Sequence, residues 1–385
     1  MKVLVVHNAY QIRGGEDSVV ESEVNLLRAA GHEVHTYSRH NDEITLMSRP
    51  SAAFESLWSK QSSREVGNLL CKLEPDVMHV HNTLPLISPS VFWAARRAGV
   101  PCVMTLHNFR LLCPQAMFLR DGRVCEDCLG GLPWRSVMRR CYRESALQSA
   151  VLSAGVALHR GIGTYNQVDR FIALSQFARL KFIEGGLPSE RIVVKPNFVE
   201  DHVTPRMTQQ KNRLGGLFVG RLSAEKGVDV LISAADSWPE GTVHVIGHGP
   251  LEEDVRASRK LIYQGSMPLH DVMRKMADAA FLIVPSICYE NFPRTIAEAF
   301  CMGLPVIASR LGGMAEIIED GVTGLLFEPG HAYDLAAKVK WAQSHPTEMT
   351  LMGRAARARY EEYYGSRTNL QQLESIYQSV INFDD

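Results

Sequence analysis

Short runs that are wholly or largely apolar recur along this chain, and most are followed by a turn and then a helical pattern. Val3 to Val6, Cys102 to Leu106, Leu217 to Val219, Val243 to Ile246, Phe281 to Val284 and Val306 to Ala308 are the clearest. A run that is apolar throughout belongs to a strand buried on both faces, as in a parallel sheet covered by helices. Further strands are expected at His32 to Tyr37, Asp76 to His81, Phe171 to Leu174, Ile192 to Lys195 and Leu261 to Gln264. Helical patterns fall between them, over about Glu16 to Ala30, between Ala52 and Lys72, over Val91 to Ala98, from Gln176, around Leu251 and over Pro268 to Ala277. The alternation predicts an α/β protein with doubly wound parallel sheets, which bind ligands beyond the carboxyl ends of their strands. At 385 residues two domains are expected, and the polar, unpatterned stretch 196–212 reads as the linker between them.

Composition excludes several classes. A net charge of −1 with 22% charged residues gives no whole-chain electrostatic case for nucleic acid. The opening MKVLVVHNAY reads as a first strand and not as a secretory signal. No stretch reaches the roughly 18 apolar residues of a membrane span. A cytoplasmic protein is therefore expected, in which the eight cysteines are thiols or metal ligands more readily than disulfides.

The chemistry concentrates in YENFPRTIAEAFCMGLPVI, Tyr289 to Ile307, where Glu290 and Glu298 stand seven residues apart. Pro293 is expected to open a helix at its first position. The free amides of Arg294 and Thr295 would then form a seat for phosphate. Glu290 would accept hydrogen bonds from sugar hydroxyls and Glu298 from ribose, with a pyrophosphate between them. Arg294 and Glu298, four apart, can instead simply pair on the helix. Upstream, Arg221 and Lys226 project where a strand gives way to a helix, and two cations there would stabilise a departing pyrophosphate. Gly14 and Gly15 form the first strand-to-helix turn, where a backbone without Cβ lets a ligand approach.

These features together resemble the GT-B glycosyltransferases, specifically the retaining family 4. The resemblance rests on the E-x7-E pair, on G-R-L-x3-K-G from Gly220 to Gly227, on Gly14–Gly15, and on PVIASRLGGMAEIIEDGVTGLLFEPG from Pro305 to Gly330. It implies two facing Rossmann-like domains: 1–198 on the acceptor side, 199–365 binding the donor, and 366–385 as a helix crossing back, with Leu373, Ile376 and Tyr377 packing on the first domain. The implied donor is a UDP- or GDP-sugar, the acceptor a saccharide or lipid-linked molecule, and the chemistry needs no metal. Donor contacts are implied for Gly14, Gly15, Arg221, Lys226, Glu290, Asn291, Phe292, Arg294, Thr295 and Glu298. Catalysis falls to His107, Glu290, Arg221 and Lys226, with His107, in TLHN, reaching the donor sugar. Two departures stand out. Asp17 occupies a position where relatives usually carry Glu, and Pro293 one where they often carry Gly. A sugar phosphorylase or epimerase, or an inactive scaffold subunit, on the same fold remains open.

Two segments lie outside that pattern. In the loop 108–144, Cys113, Cys125, Cys128 and Cys141 are spaced C-x11-C-x2-C-x12-C, as a structural zinc site, as free thiols or as disulfides. Between Trp134 and His159, Trp134, Val137, Met138 and Leu147 are set against Arg135, Arg139, Arg140 and Arg143. That segment is either a helix packed on its own domain or a basic amphipathic surface resting on an anionic membrane.

Overall fold

Lys2–Ala9 (β1) seeds the first sheet, and its Val3, Leu4, Val5 and Val6 are all buried, as an unbroken apolar run requires. The computed structural model describes residues 1–201 and 213–382, so most of the expected linker 196–212 lies outside the described residues. The chain forms two units. One comprises Met1–Met117, Glu126–Lys195 and the segment from Leu370 onward, and the other Phe118–Cys125 and Pro196–Asn369.

The first unit adds Glu33–His40 (β2), Val77–Asn82 (β3), Cys102–Leu106 (β4), Arg170–Ala173 (β7) and Ile192–Val194 (β8), while the small antiparallel hairpin of Leu119–Arg120 (β5) and Arg123–Val124 (β6) belongs to the second unit. Its sheet is six-stranded and parallel in the order β2-β1-β3-β4-β7-β8. The winding reverses between β1 and β3, and such a switch point opens a crevice at the strand ends. The β1–β3 ladder pairs Val6 with Val80 and then His7 with Asn82, so His81 is skipped as in a bulge. Valines of β1 and of the helix Gly15–Ala29 share a core with Leu373, Tyr377 and Val380 of the last helix, Ser366–Ile381, while Ile376 packs at its edge.

The second unit holds Gly216–Val219 (β9), Val243–Ile246 (β10), Leu261–Tyr263 (β11), Phe281–Val284 (β12), Val306–Ser309 (β13) and Gly324–Phe327 (β14). All pairs are parallel in the order β11-β10-β9-β12-β13-β14, which reverses between β9 and β12. Two boundaries differ from expectation. The single helix between Ala52 and Lys72 is two, Arg49–Leu57 and Lys60–Leu73, because Trp58 is extended and the Ser59 hydroxyl caps the second by accepting from Ser62 N. Pro293 is the N-cap of Arg294–Cys301 and not its first residue, with Ile296 N donating to Pro293 O.

Candidate functional site

In the second unit the functional side chains gather at the carboxyl ends of β9 and β12, the switch point of its sheet. After β9 the chain makes a single turn, Ala224–Lys226, closed by Gly227 with φ +70°. A Cβ on Gly227 would sit 1.9 Å from Pro285 O, so glycine is what lets this turn lie against the end of β12. That approach brings Lys226 Nζ to 2.6 Å from Glu290 Oε1, while Ser286 Oγ donates to the same oxygen at 2.9 Å. Burial disfavours the Lys226 ammonium, but the Glu290 carboxylate outweighs it and raises the Lys226 pKa. A residue assigned to the pyrophosphate and one assigned to the sugar are thus bonded to each other. Arg221, the second cation of the pair, is exposed.

The turn at Gly312 and Gly313 packs on the Glu290 loop. Gly313 N donates to Glu290 O, and a Cβ on Gly313 would lie 2.3 Å from Asn291 O. Phe292 is buried and packs edge-to-face on Tyr364 with ring centroids 5.3 Å apart, so its side chain belongs to the core, and Asn291 is buried beside it. Arg294 Nε lies 3.3 Å from Glu298 Oε1, as the four-residue spacing allows. The contact is badly aligned: Nε and Nη1 of Arg294 are buried and make no hydrogen bond among the described residues. Burial raises the Glu298 pKa against the pull of Arg294. The amides of Arg294 and Thr295 head the helix, where backbone donors have no intrahelical partner. The half-buried Arg294 and Thr295, the Arg294 nitrogens and the Lys226 ammonium together form a donor set suited to a diphosphate.

In the first unit the side chains gather at the ends of β1, β3 and β4. Asp17 is consumed by structure. It accepts from Gly14 N at 2.8 Å at the start of the helix, from Tyr10 N at 3.3 Å, and pairs with His7 Nε2 at 2.8 Å. Burial pushes its pKa up, yet these contacts win and hold it below the ordinary value. Its neighbour Glu16 accepts from Tyr10 Oη at 2.9 Å and from Asn108 Nδ2 at 3.4 Å, and burial pushes its carboxyl up to about 7. Gly14 has φ −113°, and a Cβ on Gly15 would meet nothing within 4 Å, so the fold itself demands glycine at neither position.

Behind them lies a buried polar network. Glu23 pairs with Lys195 Nζ at 3.0 Å, and its other oxygen lies 3.2 Å from His79 Nδ1 and 3.4 Å from His81 Nε2. His79 also meets Tyr377 Oη at 2.7 Å and Thr105 Oγ1 at 2.8 Å. His81 Nδ1 bonds His107 Nε2 at 2.9 Å, and burial pushes the His107 pKa down to about 3. Glu23, His79 and His81 have ligand atoms close enough to hold a metal. The Lys195 ammonium already occupies the carboxylate and opposes a second cation there.

Sequence reasoning reached Lys226, Glu290, Arg294 and His107 but missed Ser286, Glu16, Glu23 and Lys195. A buried-face glutamate in an amphipathic helix was the one available signal for Glu23. Of the cysteines, Cys113 and Cys128 are buried and Cys125 and Cys141 half-buried. Four thiols are a donor set that fits tetrahedral zinc. The four arginines of the basic segment accompany exposed apolar side chains: Trp134 is 56%, Met138 73% and Leu147 70% exposed. No helix among the described residues is long and apolar enough to cross a membrane.

Comparison with known proteins finds one family over both units. Two family profiles match, "Glycosyl transferase 4-like domain" over residues 14–197 and "Glycosyl transferases group 1" over 214–345. The uncharacterized glycosyltransferase MJ1178 of Methanocaldococcus jannaschii is 35% identical over 351 residues, 88% of this chain and 87% of that protein. Sulfoquinovosyl transferase SQD2 of Arabidopsis thaliana is 25% identical over 76% of this chain, which spans about half, 55%, of that relative. Among solved structures, Anabaena HepE in complex with UDP and glucose has a TM-score of 0.69 at 20% identity, covering 98% of this chain and 100% of HepE.

Proposed function

The chain belongs to the glycosyltransferases and has a GT-B fold, and from that premise we propose a retaining enzyme that moves a sugar from a UDP- or GDP-sugar to a saccharide or lipid-linked acceptor in polysaccharide or glycoconjugate biosynthesis. One observation carries the reading: Lys226, Glu290 and the unbonded nitrogens of Arg294 stand together at the switch point of the second sheet. The HepE complexes with UDP, UDP and glucose, and UDP-glucose support a uridine donor.

In this reading the diphosphate takes the Arg294 and Thr295 amides, the Arg294 guanidinium, Lys226 and Arg221. Charge that builds on the diphosphate as the sugar leaves is met by cations already in place, which lowers the barrier without proton transfer. Glu290, held by Lys226 and Ser286, orients sugar hydroxyls, and Glu298 orients the ribose. His107 keeps the sugar-facing role that the resemblance implies, and the acceptor falls to the first unit. Attack from the face the diphosphate leaves retains the anomeric configuration. Proton NMR of the first product tests it: the donor's anomeric configuration is expected, and inversion overturns the retaining mechanism.

The cysteine array is proposed to hold one structural zinc, checked by metal analysis of the purified protein, where less than about a tenth of an equivalent rejects it. The exposed Trp134, Met138 and Leu147 among arginines are proposed to rest on anionic lipid at the cytoplasmic face of a membrane. Co-sedimentation with anionic but not zwitterionic vesicles is expected, and equal recovery from both rejects it.

A further inference from the structure

His107 and His81 share one hydrogen bond, and which ring donates decides what His107 offers to a ligand. Their nitrogens are 2.9 Å apart, and the rings stack with centroids 5.2 Å apart at 24°. A neutral imidazole has one donor and one acceptor nitrogen, so the pair has two possible arrangements. The remaining nitrogen of His81 selects between them. His81 is 3% exposed, and its Nε2 has no hydrogen-bond partner among the described residues; the Glu23 carboxylate oxygen faces it at 3.4 Å. The contact is not aligned as a hydrogen bond, but at that distance in a buried site a carboxylate still repels a nitrogen lone pair and attracts the positive end of an N–H.

Glu23 is ionised in this setting. Burial alone would raise its pKa, but Lys195 at 3.0 Å and the neighbouring histidines hold it well below the ordinary value. Burial also drives both His81 and His107 toward the neutral form, His107 down to about 3. The proton of His81 therefore sits on Nε2 toward Glu23, His81 Nδ1 accepts, and His107 Nε2 donates. The ladder irregularity that skips His81 lies at the same point of β3.

We propose that Glu23, acting through His81, fixes His107 as the neutral Nε2–H tautomer, so that His107 presents Nδ1 as a hydrogen-bond acceptor for a substrate hydroxyl. Glu23 and His81 are positioning residues in this scheme, and only His107 touches the ligand. A nitrogen that can only accept selects a hydroxyl over a carbonyl or phosphate oxygen, as a sugar presents. The ligand half of the inference rests on the proposed function, and the tautomer half does not.

Nitrogen-15 NMR of the full chain with labelled histidine reads the tautomer directly, His107 being assigned by its loss in His107→Asn. At pH 7.5 the expected spectrum has His107 Nδ1 unprotonated and Nε2 protonated. An Nδ1–H tautomer or an imidazolium overturns the proposal, whether or not the protein transfers sugar. Two variants add a kinetic readout. His81→Asn can place Oδ1 where Nδ1 stood and so accept from His107, and it is expected to keep the tautomer and lose less than about tenfold in kcat. His81→Leu removes the acceptor and is expected to mix the tautomers and lose about ten- to a hundredfold with a folded circular-dichroism spectrum. A His81→Leu protein with wild-type tautomer and turnover overturns it.

Discussion

The strand ends of the two sheets carry similar numbers of charged groups but treat them in opposite ways. In the first unit the charges are largely spent on one another: Asp17 on His7 and two amides, Glu23 on Lys195, His81 on His107. In the second unit the pairing is incomplete: Lys226 holds Glu290, but Arg294 meets Glu298 without a hydrogen bond, two of its nitrogens are buried and unbonded, and Arg221 is exposed. A closed network holds a side chain in one orientation before any ligand arrives, whereas an open one takes its missing partner from the ligand. Mutations should therefore act on stability in the first unit and on binding or turnover in the second.

The largest effect is expected where the closed network is broken. Lys195→Met leaves the buried Glu23 carboxylate without its cation, and uncompensated buried charge costs about 3–5 kcal/mol. Chemical denaturation checks this, and adding Glu23→Gln in the same chain should recover much of the loss. A single variant as stable as wild type would show that the network is not closed.

Next come Lys226→Ala and Glu290→Ala, each expected to lower turnover by about 10²–10³-fold while leaving the denaturation midpoint near wild type. Near-normal transfer by both would sink the donor-site assignment. Loss of folding in both would erase the contrast between the units.

Glu16 sharpens the comparison from the other side, since it is a first-unit carboxyl with no ion pair among the described residues. Its pKa rises from 4.5 to about 7 because it is buried, so the folded state binds more protons than the unfolded state between those values. Stability from this group is present below the unfolded value and is lost as pH rises through the window, up to about 3 kcal/mol. Glu16→Gln should flatten that part of the stability–pH curve. An unchanged slope would show that Glu16 titrates normally.

How far each region could be read from sequence follows the same division. Both parallel sheets were legible, because strands buried on two faces must be apolar throughout, as at β1 and β12. The open site was legible too: Lys226, Glu290 and Arg294 lie in short contiguous motifs, and their spacing survives folding. The closed network was not. Glu23, His79, Lys195 and Tyr377 are brought together from a helix, a strand, a strand end and the last helix, across 354 residues of sequence, and nothing local marks them. The helix break at Ser59 and the position of Pro293 were missed for a different reason, since each depends on how one backbone amide is satisfied.

The most direct measurement is a crystal structure of the protein with a bound sugar nucleotide. Diphosphate density within hydrogen-bond distance of Lys226, the Arg294 guanidinium and the Arg294 and Thr295 amides, with the Lys226–Glu290 contact shared or opened, is the expected result. Density at the strand ends of the first sheet instead, with the β9 and β12 ends unaltered, would contradict it.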